Sequence, residues 1–197
     1  HQRKLKNIET HRYENDDGCD IEGRDVALFF EAMKEAHYEL TSMERYLLKS
    51  LLLSGDLWIE PESGRLLAKN AFSLISSSAE SHGSTPAHEM RHAYFTTIKA
   101  YRDGVKAIYH SLPKNELKLV KDVLFKVGDH KPELGMETYL TEFGAYFADS
   151  ETIFAEYKKQ IFFREEQKRR VRGISTMLRH LEESVPEMRI CNQNDHT

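Results

Sequence analysis

Between Ser84 and Phe95 the chain reads STPAHEMRHAYF, and no other stretch restricts the fold as much. Thr85 is a natural N-cap and Pro86 suits a first helical position, so a helix is expected to open here. On that helix His88 and His92 stand four residues apart, about 40° apart around the axis and roughly 6 Å along it. Both imidazoles can then address one point in space, with Glu89 leaning toward the same edge. The neighbours Ala87, Ala93, Tyr94 and Phe95 make the helix partly buried. Two imidazoles and a carboxylate are costly to bury without a partner. The chain must therefore fold so that another element supplies one.

A tetrahedral Zn2+ suits the pattern, with two imidazole ligands and an adjacent general base. The same letters allow other readings. Glu89-Met90-Arg91-His92 is also the Glu-x-x-His pair of di-iron helix bundles, which need that pair twice. No second pair exists, because Glu35-Ala36-His37 and Glu80-Ser81-His82 have the wrong spacing. In a chain with ten histidines, an ordinary helix turn can also carry two of them by chance.

The remaining composition narrows the class. At 197 residues and 40% apolar content the chain can bury one domain core. A net charge of -4 disfavours non-specific nucleic-acid binding. No apolar run approaches the ~18 residues of a membrane span, since RYLLKSLLLSG is short and broken by Lys49. The two cysteines, Cys19 and Cys191, are too few for a disulfide scaffold. The plainer expectation is a monomer working in a reducing compartment, with pairing of the two left open should the termini meet. No signal peptide is visible, which fits either a cytoplasmic protein or one exported by signal-independent machinery.

The expected organisation is a polar arm over residues 1–23, one domain over 24–186 and a mobile tail over 187–197. Val26, Phe29, Phe30, Met33, His37, Leu40, Met43, Tyr46, Leu47 and Leu51 form an apolar stripe at helical spacing, with Asp25 at its start, Gly55 at its end and a break at Thr41-Ser42. DLWIE, a turn at PESG and RLLAKNAFSLISSS read as short strands. The helix carrying His88 is expected to run to about His110. Ser111 or Asn115 caps a further helix that buries Leu117, Val120, Val123, Leu124 and Val127, GDHKPELG is a loop, another helix spans about 137–150, and a charged helix ends near Pro186. The fold class expected is predominantly helical α+β, with a small sheet or hairpin before the helix of interest.

Catalytic zinc takes three protein ligands and keeps one position for water. A third histidine six residues after His92 is absent, because Ile98 stands there. Asp103 lies eleven residues along the helix, about 16 Å away. The helix METYLTEFGAYFADSE offers Glu137, Glu142, Asp149 and Glu151 instead. Here the chain resembles the gluzincins, zinc peptidases whose third ligand is a glutamate on a second helix, often followed three residues later by Ala and four later by Asp. Glu142-Phe143-Gly144-Ala145 matches the first part. Tyr146 departs from the second, so the carboxylate that would orient a ligand histidine must come from elsewhere, with Asp149 in view. The resemblance covers Thr85–Tyr94 and Glu142–Ala148. It implies a zincin-like fold, zinc held by His88, His92 and Glu142, and Glu89 as the general base of peptide hydrolysis. Glu137 and Asp149 remain alternatives for the third ligand.

A donor to the developing oxyanion is also needed. Tyr139, Tyr146, His130 and His82 are the candidates, and Tyr146, one turn after Glu142, would face a similar direction. The strand AFSLISSS could pair with an extended substrate backbone. Small size and helix-rich surroundings resemble bacterial effector proteases delivered into host cells, one of which cleaves actin, which implies a host cytosolic protein such as actin as substrate. Two alternatives compete: a zinc peptidase cutting a regulator in its own cell, and a non-enzymatic helical adaptor whose partner face is the basic stretch KKQIFFREEQKRRVR.

Overall fold

The computed structural model describes residues 18–77, 84–128, 130–156, 161, 163–186 and 188. Among the described residues the chain is predominantly helical with two small two-stranded sheets. Strand β1 (Gly18–Glu22) leads into helix α1 (Gly23–Glu35), and α2 (Ser42–Ser54) follows. Strands β2 (Leu57–Ile59), β3 (Leu66–Ala68) and β4 (Ser73–Ser77) come next. Helices α3 (Ser84–Thr97), α4 (Lys99–Ser111), α5 (Lys114–Gly128), α6 (Met136–Phe147), α7 (Ser150–Glu156) and α8 (Glu165–Ser184) complete the order, with a 3-10 turn at Pro132–Leu134.

The long stripe from Val26 divides into two helices for a local reason. His37 adopts φ 52°, a left-handed conformation that ends α1. Thr41 then restarts the chain: the Glu44 N–H donates to Thr41 Oγ1 at 3.3 Å, and the Thr41 N–H donates to Glu44 Oε2 at 2.7 Å. This reciprocal capping box satisfies two donors that a helix start leaves orphaned. Gly55, at φ 80°, closes α2. Asp25, expected to cap α1, sits inside its first turn instead, and Glu22 occupies the cap position without a side-chain bond.

β2 and β3 form a hairpin in which Leu57 faces Ala68 and Ile59 faces Leu66. β4 pairs antiparallel with β1, from Gly18 opposite Ser77 to Glu22 opposite Ser73. The last residues assigned to the polar arm are thus a sheet strand. Both strands of that pair lie along α3. The expected arm over 1–17, the tail residues 187 and 189–197, His82 and Cys191 lie outside the described residues. Met188, assigned to the tail, is buried in the core.

The helix expected to run from Pro86 to His110 breaks at Ile98, whose extended φ, ψ (-106°, 102°) start α4 on a new axis. Thr97 Oγ1 donates to the Ala93 carbonyl, and Arg102 Nη1 donates to the Phe95 and Thr96 carbonyls at 3.0 and 2.9 Å. The Arg102 bonds occupy carbonyls that the end of α3 leaves without helical donors.

The larger core gathers Tyr101, Val105 and Tyr109 of α4, Val120, Val123 and Leu124 of α5, Tyr139, Phe143 and Phe147 of α6, and Val171, Ile174 and Leu178 of α8. Each set repeats at three or four residues, so each helix contributes one apolar stripe. At about 1.5–3 kcal/mol per buried large side chain, this cluster is the main thermodynamic anchor of the fold. A smaller cluster of Val26, Ala27, Phe30, Leu51, Leu57 and Leu66 holds α1, α2 and the hairpin. Helix α6, rooted in the larger core, packs along α3. No helix among the described residues is long and apolar enough to cross a membrane.

Candidate metal centre

α3 presents His88 and His92 on one edge, their rings 4.6 Å apart and nearly perpendicular. Their Nε2 atoms lie 2.9 Å from each other. At that distance one ring nitrogen must offer a lone pair to the other. From α6, Glu142 Oε2 approaches His88 Nε2 to 3.7 Å and His92 Nε2 to 3.6 Å. The three side chains form a group whose ligand atoms all fall within 4.8 Å of one another.

The group fits a zinc ion. The centre of the circle through three atoms at those separations lies about 2.0 Å from each, which is the Zn–N and Zn–O bond length. Two imidazoles and a carboxylate also form a donor set that zinc binds well. The ionisation of His92 and Glu142 is suited to ligation. Burial pushes the His92 pKa down to about 4, more strongly than the nearby Glu142 charge raises it. Burial also opposes ionisation of Glu142, but His88, His92 and His130 together overcome it and hold the carboxyl below its usual range. Neutral imidazole and ionised carboxylate are the forms that bind metal.

A cavity of about 670 Å³ opens onto this group, and Glu89, His130 and Tyr146 line it with His88, His92 and Glu142. The Tyr146 ring stacks edge-on against His88 at 4.5 Å and lies 5.8 Å from the His130 ring. His130 Nε2 stands 3.8 Å from Glu142 Oε2. Its ring is seated by local structure: the His130 N–H donates to the Leu124 carbonyl at 3.2 Å, and the ring lies over Gly128. A Cβ at Gly128 would come 2.1 Å from His130 Nε2, so only glycine leaves space for this placement.

The structure thus brings together His88, Glu89, His92, Glu142, Tyr146 and His130. The other candidates have different occupations. Tyr139 is sealed in the core beside Tyr109, and burial raises its pKa. Glu137 reaches the cavity rim but pairs with Lys106 at 2.8 Å. Asp149 caps α7 by accepting from the Thr152 N–H and Oγ1, so it does not orient a ligand histidine. Glu151 pairs with Arg172 at 3.0 Å, and Asp103 pairs with Lys99 on the surface. Gly144, within the stretch that resembles the gluzincins, faces Val105 and Tyr101 of α4.

Sequence reasoning missed Glu22, which lines the cavity from the end of β1, and the pair between Arg91 and Glu182. Arg91 Nε donates to Glu182 Oε1 at 2.7 Å, with both side chains mostly buried, and ties α3 to α8. An arginine one residue before the second histidine was the available signal, because a charge on a half-buried helix needs a partner. No protein-family model, curated protein or solved structure matches the chain.

Proposed function

We propose that the chain is a zinc-dependent endopeptidase with a zincin-like arrangement of its parts. The observation that carries this reading is the convergence of His88, His92 and Glu142 at zinc-ligand separations in a cavity that Glu89 also lines. The order of parts supports it too: a small sheet, the His-Glu-x-x-His helix, then a second helix bearing the carboxylate. When bound, zinc acts as a Lewis acid that polarises the scissile carbonyl and makes water acidic enough to attack near neutral pH.

The chain's own residues supply the remaining functions. His88 and His92 offer lone pairs from one helix and Glu142 offers a negative charge from another, leaving the cavity side open for water and substrate. Glu89 takes a proton as the water oxygen forms its bond to the carbonyl carbon. It returns that proton to the amide nitrogen as the C–N bond breaks. Tyr146 and His130 stand where a hydroxyl and an imidazole N–H can donate to the oxyanion. The open cavity suits an extended protein segment.

Zinc per chain, measured by elemental analysis after purification without metal-affinity resin or chelator, tests the reading. One zinc is expected, and it should be lost in His88→Ala. Glu89→Gln should keep zinc and fold while cleavage of a mixed peptide library falls about 10²–10⁴-fold. An absence of zinc in the natural protein, with none taken up on addition, would leave a helical adaptor as the better reading.

A further inference from the structure

A second cavity, about 760 Å³, lies between α1 and α2. Its floor is apolar, with Phe29, Leu47 and Leu74 half-buried, and Leu28 stands 50% exposed at its side. A leucine that exposed beside a roomy apolar floor is a surface suited to a partner. The rim carries four acids, Asp25, Glu31, Glu35 and Glu44, with Arg65 beside them in the lining and Arg24 3.7 Å from Asp25. Among the described residues, Glu35 and Glu44 have no cationic partner and leave the rim acidic, whereas Glu31 pairs with Lys34 at 3.5 Å and accepts from the Leu66 N–H. The groove therefore favours apolar side chains flanked by positive charge. An anionic lipid surface would be repelled, and a second copy would set two acidic rims face to face.

This groove shares a wall with the metal cleft. Ile21 of β1 lines the groove, and its neighbour Glu22 lines the cleft. Consecutive strand residues point to opposite faces, so β1 is a partition one strand thick. We propose that the groove is a docking site for the protein substrate, filled by an apolar segment flanked by lysine or arginine, from which the adjoining chain crosses β1 into the cleft. The purpose of the docking rests on the peptidase reading, while the binding itself does not.

The test uses the full chain and two fluorescein-labelled peptides, a leucine–lysine amphipathic helix and the same helix with glutamate for lysine, read by fluorescence anisotropy. The lysine peptide should bind and the glutamate peptide should not. Leu28→Asp should weaken binding about tenfold without altering the melting curve, since Leu28 is half exposed. Glu35→Lys should weaken it about threefold at low salt, with the difference fading above about 0.3 M. Equal affinity for both peptides, or no effect of Leu28→Asp, overturns the proposal. So does tighter peptide binding by Leu5→Asp, which would make the chain's own N-terminal stretch the occupant, or a dimer in sedimentation that Leu28→Asp dissolves. Zinc analysis on the same samples separates the two ideas: a chain without zinc that still binds the lysine peptide loses the peptidase reading but keeps the groove.

Discussion

Around Phe143 and Tyr101 the large side chains are sealed from water, whereas around Phe30 and Leu57 the same kinds of residue are divided between core and surface. Tyr101, Phe143 and Phe147 are all fully buried, and α3, α4 and α8 all pack against α6. In the smaller cluster, Leu51 is buried while Met43, Tyr46 and Leu53 of the same helix are 73%, 69% and 77% exposed. The difference matches what the two proposals ask of each region. A metal group needs ligand atoms fixed to fractions of an ångström, and a continuous close-packed core supplies that rigidity. A docking groove needs accessible apolar surface, which a small open cluster leaves available.

Matched truncations put the comparison at greatest risk. Phe143→Ala and Phe30→Ala each remove a buried ring, at about 3–5 kcal/mol where the surroundings cannot collapse. Phe143 neighbours Glu142 on α6, so its loss should lower the unfolding midpoint and zinc retention together. Phe30→Ala should destabilise the chain while the folded protein keeps its zinc. Equal zinc loss in both variants, measured at matched fractions folded, would show that the two regions are one unit.

Glu142→Ala should weaken zinc by more than the roughly 10–100-fold that removal of a ligand's hydrogen-bond partner costs. Chelator competition reads that affinity directly. Glu137→Ala should leave it unchanged, because Glu137 pairs with Lys106. A reversal of those two results would move the ligand role along α6 and dissolve the group as drawn.

The helix carrying His88 was legible because its information is local: Pro86 falls in its first turn, two residues after its start at Ser84, and His88 to His92 is a single turn. Glu142 was legible as one carboxylate among several, and choosing it required the resemblance as well as the spacing. The break at Ile98 was not, because Arg102 makes it tolerable through bonds that only the turned chain can form. β1 was hidden for a related reason. GCDIE carries one large apolar residue, and its strand character depends on β4, more than fifty residues away. His130 could be named from sequence only as one of four donors. Its seat over Gly128 depends on how α5 ends, which periodicity does not report.

Gly128→Ala sharpens the comparison within the rigid region. The added methyl must displace the His130 ring, so cleavage should fall about tenfold, the size of one lost hydrogen bond in the transition state. His130→Ala should do the same, and the double variant should cost no more than either alone. Unchanged zinc affinity in all three would assign His130 to the substrate carbonyl. A fall in zinc affinity with His130→Ala would make it a fourth ligand instead.

The smallest effect belongs to the capping box in the open region. Thr41→Ala removes the hydroxyl that accepts from the Glu44 N–H, at a cost of about 1 kcal/mol. Glu44 contributes separately, and its share depends on charge. The Thr41 N–H and hydroxyl hold its carboxyl below the usual range, so the folded state binds that proton less readily than the unfolded chain. The resulting stability is fully present above the unfolded carboxylate value and is lost as pH falls through the lowered folded one. In urea titrations, the gap between the natural protein and Glu44→Gln should therefore close on acidification. The Thr41→Ala gap should narrow only in part, since accepting the Glu44 N–H requires no charge. A Glu44→Gln gap that persists at low pH would mean that the side chain acts through packing, and that α2 is held more like the helices around Phe143 than its exposed face suggests.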